Sequence, residues 1–295
     1  MRSFLLFLML FTACTAKKQG DAVPGARNYF DAVAKNDVAP GEPMAGEWRS
    51  AYNEPKQSFE DYKNEGPLKA GREKKKIYLL PLGTFTPVQE RIVQRTREYL
   101  AIFYQLETIL LDPVSDSGIP DTAWRMNGNN IQLYTPFIFN RFLKGKTPAD
   151  GYALMAISEK DLYPSPSWNF VFGIASYKER IGVSSIFRLQ NQPMDDNSNY
   201  LLCLRRLINT ASHEIGHMFS LHHCLFAKCV MNGSNNLPES DRQPLRLCSD
   251  CQKKLQWNIG YDNIKRLKEL MQFLKDNQMQ EDLLMLEKDF STFTK

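Results

Sequence analysis

Apolar positions in this chain change period in a way that predicts alternating strands and helices. Residues 77–82 (Ile-Tyr-Leu-Leu-Pro-Leu) form an unbroken apolar run and read as a buried strand. Val88, Ile92, Val93, Tyr99, Leu100, Phe103 and Leu106 then recur at helical intervals, and Pro87 suits a first helical turn. A short strand is predicted at 108–111. Strand–helix–strand in this order implies a right-handed parallel crossover. The stretch 112–128 is broken by Pro113, Gly118 and Pro120 and reads as loop, while 131–142 is ambiguous between helix and strand. A third strand is expected at 151–158, a proline-containing loop at 161–168, and two more strands at 169–176 and 183–187. A long helix is predicted over about 200–221, followed by charged amphipathic helices near 264–274 and 281–290. The class is α/β (α+β): a mixed sheet over one long helix.

The first 70 residues pattern differently. Met1-Arg2-Ser3 is a short positive start, and 4–11 is an apolar run of eight residues, against about 20 needed to span a bilayer. Thr12-Ala13 then precede Cys14, so 1–14 is expected to be an export signal. It resembles a bacterial lipobox, in which such a cysteine is lipidated, although Phe11 stands where leucine is usual. The expectation is an exported protein of the bacterial cell envelope, periplasmic or at the outer membrane, held to the membrane through Cys14. The alternative is a plain cleaved signal with Cys14 unused. Residues 15–44 are polar and broken by Pro24, Gly25, Pro40, Gly41 and Pro43, which predicts a tether. Trp48, Tyr52, Phe59 and Tyr62 lack a clean period and suit an irregular segment wrapped on the domain. The organisation is therefore 1–14 signal, 15–70 tether and wrapping segment, and 71–295 catalytic domain with C-terminal helices.

Composition allows a full core, with 43% hydrophobic residues in 295. Lys and Arg (37) nearly balance Asp and Glu (33) for a net charge of +4, and the basic run 72–76 reads as a solvated strand edge. No nucleic-acid partner is expected. The oligomeric state is not legible.

The candidate chemistry is concentrated in one place. All four histidines fall within 213–223, and four of the six cysteines follow at 224, 229, 248 and 251. His213 and His217 are four apart and share one helix face. Glu214 lies beside that face, within reach of a metal-held water, which is the zinc-peptidase arrangement H-E-x-x-H. A catalytic zinc takes three protein ligands and keeps one position open. His223 can supply the third only if the helix stops and the chain turns beneath it, the layout of the metzincins. His222 is its competitor. Ser220 stands where that turn usually has glycine, and a non-glycine residue at positive φ costs roughly 1–2 kcal/mol. A displaced or strained turn is therefore expected.

Cys224 directly follows His223, Met231 follows Cys229 as Cys-x-Met, and Cys248 and Cys251 form C-x-x-C. With Arg242-Gln243-Pro244-Leu245-Arg246-Leu247-Cys248, the whole string resembles the archaemetzincins. Gly46-Glu47-Trp48 and Gln57-Ser58-Phe59 resemble the N-terminal part of some members. The resemblance implies a metzincin-like zincin domain with a mixed twisted sheet, an active-site helix and an added zinc site made by Cys224, Cys229, Cys248 and Cys251. It implies two zinc ions per chain, Met231 as apolar support beneath the catalytic metal, and a peptide or protein substrate hydrolysed with Glu214 as general base. It also implies an upper edge strand antiparallel to the substrate, matched here to 169–176. Two disulfides among the four cysteines are the competing reading. Cys203, on an apolar helical stretch, reads as a buried free thiol. The rival function is a zinc-stabilised binding or scaffold protein with little or no catalysis.

Overall fold

In the computed structural model the structure describes residues 26–293. Cys14 and the expected export signal lie outside the described residues. The chain opens with helix α1 (Ala26–Ala34), then two short helices, α2 (Trp48–Ala51) and α3 (Phe59–Asn64). Strand β1 (Lys76–Leu82), helix α4 (Pro87–Tyr104) and strand β2 (Glu107–Leu110) follow as the pattern predicts. Thr86 caps α4: its side chain accepts from the Gln89 amide while the Gln89 side chain accepts from the Thr86 amide, with Pro87 in the first turn.

Next come β3 (Trp124–Asn127), β4 (Asn130–Tyr134), α5 (Thr135–Ile138), β5 (Gly151–Ser158), β6 (Asp161–Tyr163), β7 (Gly173–Ser176) and β8 (Ile181–Ser185). The long helix α6 (Asn197–Met218) is followed by α7 (Leu237–Asp241), α8 (Ser249–Ile259), α9 (Asn263–Asp276) and α10 (Gln280–Phe293). None of the helices among the described residues is long and apolar enough to cross a membrane.

The main sheet has the order β2-β1-β5-β8-β7. Its first four strands run parallel, and β7 is an antiparallel edge. The parallel pairing of β1 with β2 around α4 is the expected crossover. Side chains alternate across the pleat. Ile77 and Leu79 of β1 and Met155 and Ile157 of β5 face the core packed with α4 and α6, while Leu80, Leu82, Leu154 and Ala156 face a second core that includes Ile138 and Leu143. Both faces are covered, which is why β1 and β5 read as unbroken apolar runs.

Three expectations need correction. The loop predicted at 112–128 contains β3, and the loop at 161–168 begins with β6; both belong to a second sheet ordered β3-β4-β6. These strands are short and held by polar contacts. Asp161 is fully buried, accepts from Arg188 and Gln132, and has no apolar periodicity to betray it. The tether predicted from 15 onward includes α1, whose Tyr29, Phe30 and Val33 bury against Ile264 and Phe293. Arg246 fastens the end of this segment by pairing with Asp37 and with the buried Asp289 of α10.

Candidate active site

The site is built where α6 ends. Asp196 caps its start by accepting from the Ser198 and Asn199 amides. At its other end the Ser220 amide donates to the His217 oxygen (2.8 Å) and the Leu221 amide to the Gly216 oxygen (3.1 Å). That bond pair is a Schellman termination. Ser220 takes its left-handed position with φ 64°. Of the two expectations, a displaced or a strained turn, the second holds: the turn is undisplaced and serine carries the positive φ. The next residues double back under the helix and bring His223 against His213 and His217.

One ring nitrogen from each of His213, His217 and His223 lies within 4.8 Å of the others. Each Nδ1 is already engaged. His213 Nδ1 donates to the Val230 oxygen (2.9 Å) and His217 Nδ1 to the Leu221 oxygen (2.7 Å). His223 Nδ1 donates to the Glu54 carboxylate (2.8 and 3.0 Å). A carbonyl or carboxylate can only accept, so the proton sits on Nδ1 and Nε2 is left as a lone-pair donor. The Nε2 atoms of His213 and His217 face each other at 3.0 Å, a repulsive arrangement that a shared cation relieves. A tetrahedral zinc with bonds of about 2.0–2.1 Å spaces its nitrogens about 3.3–3.4 Å apart, so the three rings fit it. Burial, and then the neighbouring His223, lowers the His213 pKa to about 3, and burial likewise holds His217 well below its ordinary value. Both rings stay neutral, as ligands must.

His222 stays outside the cluster. It is half-buried and turned toward Glu65, with its Nε2 3.4 Å from that carboxylate.

Glu214 is 6% exposed and lies over Gly173 of β7, where an added Cβ would come within 2.7 Å of its Cγ. Burial raises its pKa to about 8 when no cation is beside it. Met231 is fully buried against α6, and a Cβ on Gly216 would meet its sulfur at 2.4 Å. The cluster opens into a cleft of about 530 Å³, lined on one side by Trp168, Phe170 and Phe172 and on another by Asn209, Thr210 and Gln243. Edge strand β7 forms one wall, at the C-terminal half of the strand expected over 169–176.

Cys224, Cys229, Cys248 and Cys251 converge so that their sulfurs all lie within 4.8 Å of one another, and none is in a disulfide. The Cys224 and Cys248 sulfurs are 3.5 Å apart, close to the roughly 3.8 Å separation implied by zinc–sulfur bonds of 2.3 Å. Hydrogen bonds from the other three thiols drive the Cys224 pKa far down; burial pushes Cys229 up, and hydrogen bonding to Cys224 pushes Cys251 up. Four buried thiols cannot ionise together unaided, and a divalent cation is what permits it. Cys203 is separate and fully buried, with its thiol pushed up to about 12 by burial.

Three residues at the site carried no pattern in the sequence. Glu54 reaches His223 from 169 positions away. The Tyr177 hydroxyl lies 2.9 Å from His217 Nδ1. Asn232 staples the turn around Met231, donating to the Cys224 and Ala227 oxygens and accepting from the Cys229 amide.

A three-histidine cluster with an adjoining buried carboxylate, on a helix under the edge strand of a mixed sheet, is the arrangement of the zincin-type metallopeptidases. Peptidase family M54 matches residues 146–257. The chain is 36% identical over 262 residues to archaemetzincin-2 of Rattus norvegicus, covering 78% of this chain and 72% of that protein. It is 39% identical over 111 residues to an archaemetzincin of Thermococcus kodakarensis, covering 38% of this chain and 59% of that one. Its fold is similar to the crystal structure of an archaemetzincin from Methanopyrus kandleri, with a TM-score of 0.51, 27% identity, and coverage of 64% of this chain and 97% of that one. The chain belongs to the archaemetzincin family of zinc metallopeptidases.

Proposed function

We propose that His213, His217 and His223 hold a catalytic zinc, that Glu214 is its general base, and that the four cysteines hold a second, structural zinc. The observation that carries this reading is the convergence of three Nε2 atoms whose Nδ1 partners are all satisfied, with a buried carboxylate on the next residue of the same helix. A zinc held by these three histidines would supply Lewis-acid polarisation of a peptide carbonyl and acidify the attacking water. Glu214 takes the proton of the attacking water on its carboxylate. Oxygen–carbon bond formation is followed by carbon–nitrogen cleavage, and Glu214 passes the proton to the departing amine. The outer edge of β7 aligns an extended peptide antiparallel to itself, in the manner of an added strand. Gly173 leaves the space Glu214 needs. Met231 supports the three rings from below. The turn at Ser220 is intact, so the sequence departure that favoured a non-catalytic scaffold loses its force.

Glu214→Gln keeps the shape and loses the proton acceptor. It should retain both zinc ions and the native melting temperature while peptide-library turnover falls about 10²–10⁴-fold. His217→Ala should lose one zinc and all activity together. Zinc loss in Glu214→Gln would make Glu214 a ligand and sink this assignment.

We further propose export with an acyl anchor at Cys14, supported by the apolar run 4–11 and the small residues before the cysteine. The protein should partition into detergent, and Cys14→Ser should move it to the aqueous phase. An unmodified soluble form in the native host would end this proposal.

A further inference from the structure

The three histidines have unequal support. His213 and His217 are fixed by backbone carbonyls of the core, at Val230 and Leu221. His223 is fixed by a side chain, Glu54, which comes from outside the region matched by the peptidase family. Around Glu54 the segment 46–65 is clamped at many points. Trp48 Nε1 donates to the same carboxylate (3.3 Å), and the Trp48 ring packs edge-on against the His223 imidazole with centroids 4.6 Å apart. The Trp48 ring also lies so close to Gly233, two residues past Met231, that a Cβ there would meet it at 2.5 Å. The Trp48 amide donates to Glu239 (2.9 Å). Gln57 donates to the Ser220 oxygen (2.9 Å) and accepts from the His222 amide (3.2 Å), Tyr62 donates to the Phe219 oxygen (2.8 Å), and the buried Lys254 donates to the Gln57 oxygen. The Gln57, Tyr62 and Glu54 bonds land on residues 219–223, the turn that carries the third ligand, and the rest hold the strap to the surrounding core.

We propose that Glu54 is a positioning residue of the catalytic metal centre, supplied by an N-terminal strap whose docking sets how tightly that centre holds zinc. It rests on the three-histidine assignment above. The carboxylate keeps the proton on His223 Nδ1, presents Nε2 to the cluster and makes the ring a stronger donor. Partners of this kind are typically worth 10–100-fold in metal affinity.

Zinc competition against a graded chelator on the full chain reads this without any turnover, so failure of the peptidase reading is seen separately as zinc held but no peptide cleaved. The cysteine centre is the internal control. Glu54→Ala should weaken the histidine-site zinc about 10–100-fold while the cysteine-site zinc stays bound. Glu54→Gln, whose amide oxygen still accepts from Nδ1, should recover part of that loss. Trp48→Phe, which keeps an aromatic ring beside His223 but removes the Nε1 donor, should fall between wild type and Glu54→Ala. An affinity within threefold of wild type in Glu54→Ala overturns the proposal. So does equal weakening in Glu54→Gln and Glu54→Ala, or parallel loss of zinc from both centres.

Discussion

The two clusters would offer a cation different chemistry and are built to opposite ends. The histidine cluster sits on the rim of a cleft, with burial keeping His213 and His217 neutral and with the buried Glu214 carboxyl on the residue after His213. The cysteine cluster is sealed, with exposures of 0–3% for its four residues. Neutral imidazoles leave most of the cation's charge available to polarise a substrate. Four thiolates neutralise it, and burial denies a substrate access. The first arrangement suits chemistry and the second suits folding. Yet the two are wired together through the backbone. His223 precedes Cys224, and Val230, whose oxygen orients His213, sits between Cys229 and Met231. The closed centre is thus the foundation on which the open one is aligned.

The largest effect should come from breaking the closed centre. Structural zinc binding is itself folding free energy. Cys248→Ser should cost several kcal/mol, and at about 2–4 °C per kcal/mol in a chain near this size the melting temperature should fall by roughly 10 °C or more. Because Cys229 precedes Val230, the support of His213, and Cys224 follows His223 itself, histidine-site zinc affinity should drop too. Scanning calorimetry and zinc analysis on one sample would check both. An unchanged melting temperature with full activity would show the centres to be independent.

A smaller effect tests the contact between the active-site helix and the methionine turn. A Cβ at Gly216 would meet the Met231 sulfur at 2.4 Å and its terminal methyl at 2.9 Å. Gly216→Ala gains helix propensity but overpacks this contact, which typically costs 1–3 kcal/mol. The expected outcome is a modest loss of stability with a larger fractional loss of kcat, since the displaced turn carries the Val230 oxygen that orients His213. A variant with wild-type kcat would mean that Met231 is ordinary packing.

How much of this was legible beforehand depended on how local each arrangement is. His213, Glu214 and His217 lie within one helical turn and a bit, so spacing alone declared them. The cysteines were declared by adjacency to His223 and by C-x-x-C. The strands β1 and β5 are buried on both faces and read as apolar runs. By contrast β6 is three residues long and anchored by Asp161, Arg188 and Gln132, a tertiary polar network with no period. Helix α1 was hidden by its polar surroundings, with Tyr29, Phe30 and Val33 as its buried contacts. Glu54 and Tyr177 have common residue types and partners 169 and 40 positions away. Only a folded chain brings them to the histidines.

The smallest effect concerns the residue at which α6 ends and the chain turns back toward His223. Ser220 occupies the left-handed position of the α6 termination at φ 64°, where a side chain costs roughly 1–2 kcal/mol. Its tertiary contact there runs through the backbone oxygen, which accepts from Gln57, and glycine keeps that bond. Glycine also loosens the unfolded chain, which takes back roughly 0.4–1 kcal/mol. Ser220→Gly should therefore stabilise by about 0.5–1 kcal/mol and raise the melting temperature by about 1–4 °C. Catalysis should change less than twofold, because the turn already has its final geometry and His223 is already in place. A destabilised Ser220→Gly would show that the serine side chain contributes to the turn. A several-fold gain in kcat would show instead that strain at this position holds the histidine centre away from its best alignment.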